Sequence, residues 1–449
     1  MAIPHSPAYL LFLALAAIAV LVLLVTWRKV NAFLALMVAA LITGIGAGLP
    51  PLEALKHFQE GLGATLGGIA AVIALGAMLG KLLAESGGAD VLAARFSAFF
   101  GPSRVLWCVA ALAVAVGLVT WFVVGLLLLL PVVITLSRET RRPFLLLAIP
   151  LLSFLSVMHG LMPPHPGPVV AVDLLGANTG AVLGYGFLIG LPTAAVAGPL
   201  FARWVTRFVK VAIPEMAHPV SGGNLRRPSF AVTLFMIGLP IGLMLLATAS
   251  ELILPPGHPV RGALTLAGHP VIALTAAVFA AVIILKQACR FDRKSIWAFT
   301  EQSIGGIGMT LLVVGGGGGF ARVLREAGVA SALGNMAGSL QLPPLIYGWM
   351  VAAFIRVATG SATVAITTAA GILAPMLAAD PGINREMMVL SIGCGSLFLS
   401  HLNDGGFWIV KESLGLTVGQ TLRTWTVTES IIGVFGLAAV VTLDFFLPR

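Results

Sequence analysis

The chain has 449 residues, of which 59% are hydrophobic and 10% are charged, and its formal net charge is +9. Soluble domains carry roughly 25% charged residues, so this composition excludes a soluble protein of this length. The basic residues fall in short loops between apolar runs, such as "RETRR" at 138–142, which is the positive-inside pattern of membrane proteins rather than a nucleic-acid surface. We therefore expect the chain to lie in a lipid bilayer and not to bind nucleic acid.

Apolar runs long enough to cross a bilayer follow one another along the whole chain. A transmembrane helix needs about 20 predominantly apolar residues. Runs without Asp, Glu, Lys or Arg occupy 1–27, 61–80, 105–137, 143–172, 174–202, 229–250, 262–285, 302–321, 327–355 and 357–379. They predict an all-α polytopic membrane protein with roughly 11–14 membrane segments.

Two stretches do not divide evenly into crossings. The run 105–137 has 33 residues and would form a helix of about 50 Å, well beyond a hydrocarbon core of about 30 Å. It predicts one crossing plus a half-crossing, or a re-entrant hairpin. Between the basic loops that end at 142 and begin at 203 lie 60 residues, whereas two crossings need about 40. The remainder predicts a segment that dips into the membrane and returns.

That remainder contains "HGLMPPHPGP" at 159–168, with two histidines and four prolines inside a charge-free run. Proline breaks helices, and broken backbone at membrane depth is tolerated only where it is buried in protein or lines a wet cavity. The segment therefore predicts a discontinuous helix at a binding site, with His159, Pro164 and His165 as candidate site residues. The alternative is a proline-rich external loop.

Two segments of the second half show similar features. "RVATGSATVAITTAAGILAP" at 356–375 combines an arginine, which is costly in a membrane and usually functional, with hydroxyls around a glycine. "SHLNDGGFWIVKE" at 400–412 places an acid and an amide beside two glycines, as in a hairpin tip. The candidate site residues are Arg356, Thr359, Gly360, Ser361, Thr363, Asn403, Asp404 and Gly405. The alternatives are a snorkelling arginine, hydroxyls bonded to carbonyls four residues earlier, and an interfacial loop.

The longest polar break, 203–228, divides the chain into a first half at 1–202 and a second half at 229–449. A faint echo relates the halves, since "GGIAAVIALGAMLGKLLAESGG" begins at Gly67 and "GGIGMTLLVVGGGGGFARVLREAG" begins at Gly305. Half-chain repeats are typical of secondary transporters. The glycine run 315–319 lacks the Gly-Lys-Ser/Thr of a phosphate loop and is expected to serve close helix packing.

These motifs closely resemble those of the gluconate permease family of sugar-acid:proton symporters. The segments that carry the resemblance are 79–89, 159–168, 186–201, 360–371 and 400–429. The resemblance implies proton-driven uptake of D-gluconate or a related small carboxylate across the bacterial inner membrane, without a cofactor. It also implies an inverted-repeat, elevator-type fold with two re-entrant hairpin tips that meet at the substrate, and a homodimer.

One departure from the family pattern concerns the segment 117–131, where family members tend to carry an acid near Val123 and this chain carries none. If that acid helps coupling, the proton must bind elsewhere. We predict Asp404 first, His159 second, with His401 as a further candidate, because an unperturbed histidine titrates near the working pH and a hairpin tip can desolvate an acid.

Other functions compete with this interpretation. A symporter of the same fold could carry D-serine or D-glycerate, and an uncoupled channel or sensor could use the same scaffold. A membrane enzyme that uses His159, His165 and Asp404 as acid–base groups would need a nucleophile or metal cluster, and the sequence offers neither. The three scattered cysteines indicate no metal site and no disulfide framework. We therefore expect a transporter rather than an enzyme.

Overall fold

The computed structural model describes residues 6–118, 120–163, 165–214, 226–255, 257–287, 289–305, 308–329, 342–380 and 382–447. Every regular element in these ranges is a helix, which confirms the predicted all-α class. Nine helices in the described part of the chain are long and apolar enough to cross a membrane, and three shorter apolar helices accompany them. Pro164, residues 215–225 of the basic segment 203–228 and part of the echo that begins at Gly305 lie outside the described residues.

The helices of the first half are α1 Pro7–Thr26, α2 Ala32–Gly46, α3 Pro51–Glu85, α4 Gly88–Gly117, α5 Phe122–Thr140, α6 Phe144–Leu161, α7 Pro166–Leu175 and α8 Thr179–Val205. Those of the second half are α9 Phe230–Ile253, α10 Pro259–Ala267, α11 Pro270–Gln287, α12 Arg293–Gly305, α13 Gly308–Glu326, α14 Pro344–Thr359, α15 Ala362–Ala379, α16 Arg385–Leu397, α17 Gly405–Ser413 and α18 Val418–Phe446. Both α8 and α18 contain a π-helical turn, at Val196–Leu200 and Leu422–Thr426.

Helix ends follow local sequence signals. Side-chain oxygens at the N-cap accept backbone N–H groups at Asn178, Ser361 and Thr417, the last in a capping box with Gln420. Such caps satisfy backbone donors that a helix leaves free. Helix α14 ends at Gly360, whose φ of 70° is the left-handed conformation that glycine adopts without strain. The caps matter for function because they fix where each helix begins or ends.

The predicted break in "HGLMPPHPGP" is present, since α6 ends at Leu161 and α7 begins at Pro166. Met162 and His165 are almost fully buried. The burial of these two residues favours a break packed inside the protein over an exposed proline-rich loop. The run 105–137 is also divided, because α4 ends at Gly117 and α5 begins at Phe122.

The halves share an order of elements around their breaks. In the first half α4, a break, α5, α6, a break, the short α7 and the long α8 follow one another. In the second half α14, a break, α15, α16, a break, the short α17 and the long α18 do the same. Helices α4 and α6 pack together, as do α14 and α16. The breaks bring loop backbone to the interior of the helical assembly.

The glycine run lies in α13, where that helix packs against α2 and α3. A Cβ atom on Gly61 of α3 would collide with the carbonyl oxygen of Gly318, and one on Gly318 would collide with the Thr65 side chain. The backbones therefore approach as closely as small residues allow, which is the packing role expected from the sequence.

We expect Gly61→Ala to destabilise the protein and Gly63→Ala to leave it unchanged or slightly more stable. The new methyl at Gly61 meets backbone that cannot move aside, and overpacking costs about 1–3 kcal/mol. A Cβ on Gly63, two residues away in the same helix, meets nothing within 4 Å. Thermal unfolding of the detergent-purified variants checks this. Equal unfolding temperatures for the two variants would contradict the close crossing.

Candidate functional site

The breaks surround a cavity of about 280 Å³. Residues from both halves line it, including Trp121, Val123 and Ser156 from the first half and Gly317, Ile409 and Trp425 from the second. Nine predicted site residues also line it: His159, Arg356, Thr359, Gly360, Ser361, Thr363, Asn403, Asp404 and Gly405. His165 and His401 are buried nearby but are not lining residues. The sequence-predicted residues therefore come together at one place.

The break between α14 and α15 packs directly on the break between α16 and α17. A Cβ atom on Gly360 would overlap the carbonyl group of Asn403. The Asn403 Nδ2 donates to the carbonyl oxygens of Val357 and Ala358, at 2.8 Å and 3.0 Å. The Nε2 of His401 lies 3.0 Å from the same Val357 carbonyl oxygen. The tip at 398–404 is thus fastened to the C-terminal end of α14.

Arg356 is 3% exposed and makes two contacts inside the protein. Its Nη1 donates to the Gly360 carbonyl oxygen, and its Nη2 donates to Asp404 Oδ2 at 2.5 Å. A buried ion pair with a loop carbonyl as a third partner is not the arrangement of a snorkelling side chain. Arg356 therefore holds the 359–363 segment to the neighbouring tip.

Asp404 is the N-cap of α17 and uses both carboxylate oxygens. Its Oδ1 accepts the Gly406 N–H at 2.8 Å, and its Oδ2 accepts both Arg356 and the Ser400 hydroxyl. The Trp425 indole N–H donates to Ser400 Oγ at 2.7 Å. Asp404 thus has three direct donors, and Trp425 positions the hydroxyl of one of them.

The two histidines of "HGLMPPHPGP", His159 and His165, differ in their surroundings, although their ring centroids are 5.1 Å apart. His165 Nε2 lies 2.7 Å from the carbonyl oxygen of Gly117, so this nitrogen carries the hydrogen. His165 therefore ties the 162–165 tip to the end of α4 and does not line the cavity. His159 lines the cavity, and its Nδ1 is buried without a partner among the described residues.

The hydroxyls of the 359–363 segment also divide into two kinds. Thr359 Oγ1 donates to the Ile355 carbonyl at 2.7 Å, which is the back-bonding alternative. Ser361 Oγ caps α15 by accepting the Val364 N–H at 3.3 Å. Thr363 lines the cavity, and its hydroxyl makes no hydrogen bond to another described residue. Thr363 is thus the free hydroxyl of this segment.

Sequence reasoning missed Glu429, a cavity-lining acid in α18 that is 1% exposed. Its Oε1 accepts the Ser156 hydroxyl of α6 at 2.5 Å, across the two halves. The signal was present, because Glu429 is the only charged residue between Arg423 and Asp444. A lone acid in an apolar membrane run is a functional-site hypothesis by default.

The cavity wall carries polar side chains, some of which have a buried atom without a partner. Buried atoms without partners among the described residues include His159 Nδ1, Arg356 Nε and Asn403 Oδ1. These atoms lie beneath the surface of the cavity, and each costs about 1–3 kcal/mol while it has no partner. Among the described residues, no group of three or more His, Cys, Asp or Glu side chains could hold a metal ion. The chemistry available here is reversible binding of a polar molecule.

The sequence matches the model of the GntP family permeases over residues 9–446. The chain belongs to this family. It is 42% identical over 445 residues to a gluconate permease of Pseudomonas aeruginosa, with 98% of each chain covered. It is 39% identical over 437 residues to the Gnt-II system L-idonate transporter of Escherichia coli, covering 97% of this chain and 99% of the relative. It is 34% identical to a D-serine transporter of E. coli, covering 99% of this chain and all of the relative.

Family membership confirms several predictions. This permease is a transporter and not an enzyme, and it is a multi-pass protein of the bacterial inner membrane. The resemblance that the motifs carried is thus confirmed over almost the whole chain.

A solved structure, that of the Alcanivorax borkumensis YdaH transporter, is similar to this chain with a TM-score of 0.40 and 17% sequence identity. The match covers 88% of this chain and 90% of that chain. This similarity is too weak for a comparison of mechanisms.

Proposed function

We propose that this permease takes up a small hydroxy monocarboxylate, D-gluconate or a close relative, together with protons. The relatives named above transport gluconate and L-idonate by name. The observation that supports the proposal most is the cavity, whose wall includes the hydrogen-bond donors and acceptors of His159, Thr363 and Asn403. A polyhydroxy carboxylate needs both kinds of group.

Size and charge support a small monoanion. Typical ligand pockets measure about 300–1,000 Å³, so a cavity of about 280 Å³ suits a small ligand. Arg356 is the only Lys or Arg among the described lining residues, and Asp404 already balances its charge. The described lining residues offer no second cation, so a dicarboxylate would bring two uncompensated negative charges into the site and a monocarboxylate only one.

We also propose that the fold is an inverted repeat with 203–228 as the linker between its halves, and that it works as an elevator-type homodimer. The repeated order of breaks, short helix and long π-containing helix supports the repeat. Mirrored packing supports it too, because α6 contacts α18 as α16 contacts α8. Inverted repeats with discontinuous helices at a shared site are a common transporter design. The count of 11–14 membrane segments belongs to the same proposal.

D-serine is the second candidate substrate. One relative is named a D-serine transporter, and Glu429 is a buried carboxyl that has no cationic partner among the described residues. An ammonium group could be that partner. An amino acid would then bind as a zwitterion, with no coupled proton required to balance its charge.

We expect gluconate uptake to be inhibited by L-idonate and D-glycerate and to be unaffected by succinate or citrate. The purified protein is reconstituted into proteoliposomes with an acidic exterior, and labelled gluconate is followed with each competitor in excess. Protein-free liposomes serve as the control. Accumulation beyond equilibrium separates a coupled carrier from a channel or sensor, which would only equilibrate the label. Stronger inhibition by succinate or citrate than by the hydroxy monocarboxylates would overturn the proposal, and stronger inhibition by D-serine would favour the second candidate.

A further inference from the structure

Glu429 differs from the other buried acids of this permease. Three acidic side chains are buried in the described part of the chain: Glu85, Asp404 and Glu429. Glu85 pairs with Lys81 at 2.8 Å and Asp404 pairs with Arg356. Glu429 makes no ion pair to a described residue, and its recorded partner is the neutral Ser156 hydroxyl. Among the described residues, Glu429 is therefore the buried acid that no cationic side chain contacts.

A carboxylate in such a place is costly while it is ionised. Burying an unpaired charge costs several kcal/mol, and one hydroxyl donor offsets only part of that cost. Adding a proton removes the charge and leaves a carboxyl group that can still hydrogen-bond to Ser156. The position therefore suits a group that exchanges a proton as the cavity changes its contents.

The other charged and titratable groups that face Glu429 set the charge balance. They are Arg356, Asp404 and His159 in the cavity wall. Arg356 and Asp404 form an ion pair in which their charges cancel. His159 carries no negative charge in either protonation state. The negative charges that remain to be balanced are therefore those of Glu429 and of an incoming substrate.

Two carboxylates in one buried cavity repel each other, so both are not ionised together. A loaded cavity therefore holds the substrate carboxylate beside a protonated Glu429, and an ionised Glu429 excludes the substrate. The site with an ionised Glu429 and no substrate has the same net charge as the site with a protonated Glu429 and a bound substrate. Binding of a carboxylate substrate thus requires a proton on Glu429, which is the linkage that a symporter needs.

We propose that Glu429 binds the coupled proton, one for each carboxylate that the permease carries. This inference rests on the proposed function, because it needs a monoanionic substrate. One proton adds to a Glu429 oxygen from the outside, and one substrate anion enters with it. On the inside the O–H bond of the carboxyl group breaks, the proton and the substrate anion leave, and Glu429 is again ionised. One positive and one negative charge move together, so the cycle carries no net charge.

The test compares accumulation with exchange in proteoliposomes that contain wild type, Glu429→Gln or Glu85→Gln. The first variant keeps shape but cannot titrate, and the second changes an equally buried acid that does not line the cavity. An imposed difference of one pH unit supports at most about tenfold accumulation by a one-to-one symporter. We expect wild type and Glu85→Gln to approach that limit. We expect Glu429→Gln to exchange labelled for unlabelled gluconate but not to accumulate it.

The wild-type arm separates the two proposals. If wild type does not concentrate any hydroxy acid, the proposed function fails whatever the variants do. If wild type and Glu429→Gln both concentrate gluconate, the proposed function stands and the assignment of the proton to Glu429 is overturned. If Glu429→Gln folds but neither exchanges nor binds gluconate, Glu429 is a substrate ligand and the assignment is again overturned. Accumulation driven by a membrane potential alone in wild type would contradict the one-to-one stoichiometry.

Ser156→Ala provides a second measurement in case Glu429→Gln does not reach the membrane. The Ser156 hydroxyl donates to the carboxylate and so favours its ionised form. Without that donor Glu429 keeps its proton to higher pH, and we expect the pH of half-maximal uptake to rise. A Ser153→Ala control removes a buried hydroxyl of the same helix that donates to the Ala194 carbonyl instead, and its pH profile is expected to match wild type. An unshifted profile in Ser156→Ala would overturn the assignment.

Discussion

Replacing Arg356 with Gln is expected to abolish uptake and to destabilise the protein strongly. The substitution leaves Asp404 buried without its cation, and breaking a buried pair in this way costs about 3–5 kcal/mol. It also frees the Gly360 carbonyl that Arg356 holds. Because displacements of about 1 Å at a site can cost a hundredfold in rate, we expect uptake to fall by at least about that factor. Uptake rates at equal membrane levels and unfolding temperatures in detergent check both effects.

A double-mutant cycle separates the lost ion pair from the lost arginine. Asp404→Asn keeps a good N-cap for α17, and the combination of Arg356→Gln with Asp404→Asn leaves no unpaired charge at the pair. We expect the double variant to be more stable than Arg356→Gln alone, although still inactive. Arg356→Lys keeps the charge but loses the planar fork that reaches two oxygens, so its uptake should be markedly weaker. Unchanged uptake in both Arg356→Lys and Arg356→Ala would contradict a role for this contact.

Gly360→Ala is the second substitution for which we expect a large loss. Its φ of 70° costs a non-glycine residue about 1–2 kcal/mol, and its Cβ would overlap the Asn403 carbonyl group. The two tips would be forced apart, so the substrate affinity should fall at least about tenfold. Gly371→Ala in α15 is the matched control, because a Cβ there meets nothing within 4 Å. Substrate-dependent thermal stabilisation measures the affinity, and equal values for the two variants would contradict the close contact.

Hydropathy and helix-breaking residues were sufficient to locate the breaks. The prolines of 159–168 and the glycines at 360 and 405 interrupt apolar runs, and the interruption of a helix is a local property. The partners across the breaks were not predictable in this way. Arg356 and Asp404 are 48 residues apart, and no local pattern states that their side chains meet. Both were expected at the site, but as separate groups.

The differences between His159 and His165 show the same limit. They lie six residues apart in one motif, and the sequence treats them alike. Only the packing of the 162–165 tip on α4 gives His165 a carbonyl partner and leaves His159 Nδ1 without one. Glu429 was overlooked for a different reason. It lies within a continuous helix rather than at a break, so the helix-breaking residues that mark the rest of the site do not mark this lone charge in an apolar run.

Besides the Arg356–Asp404 ion pair, several bonds that fasten the tips go to backbone carbonyls. His165 reaches the Gly117 carbonyl in one half, and Asn403 reaches those of Val357 and Ala358 in the other. Such bonds do not depend on which side chains the fastened helices carry. Lining residues such as Thr363 and Val123 can therefore change without loosening the loops that present them. A scaffold of this kind can change its substrate through single substitutions in the cavity wall. Its relatives include a gluconate permease and a D-serine transporter.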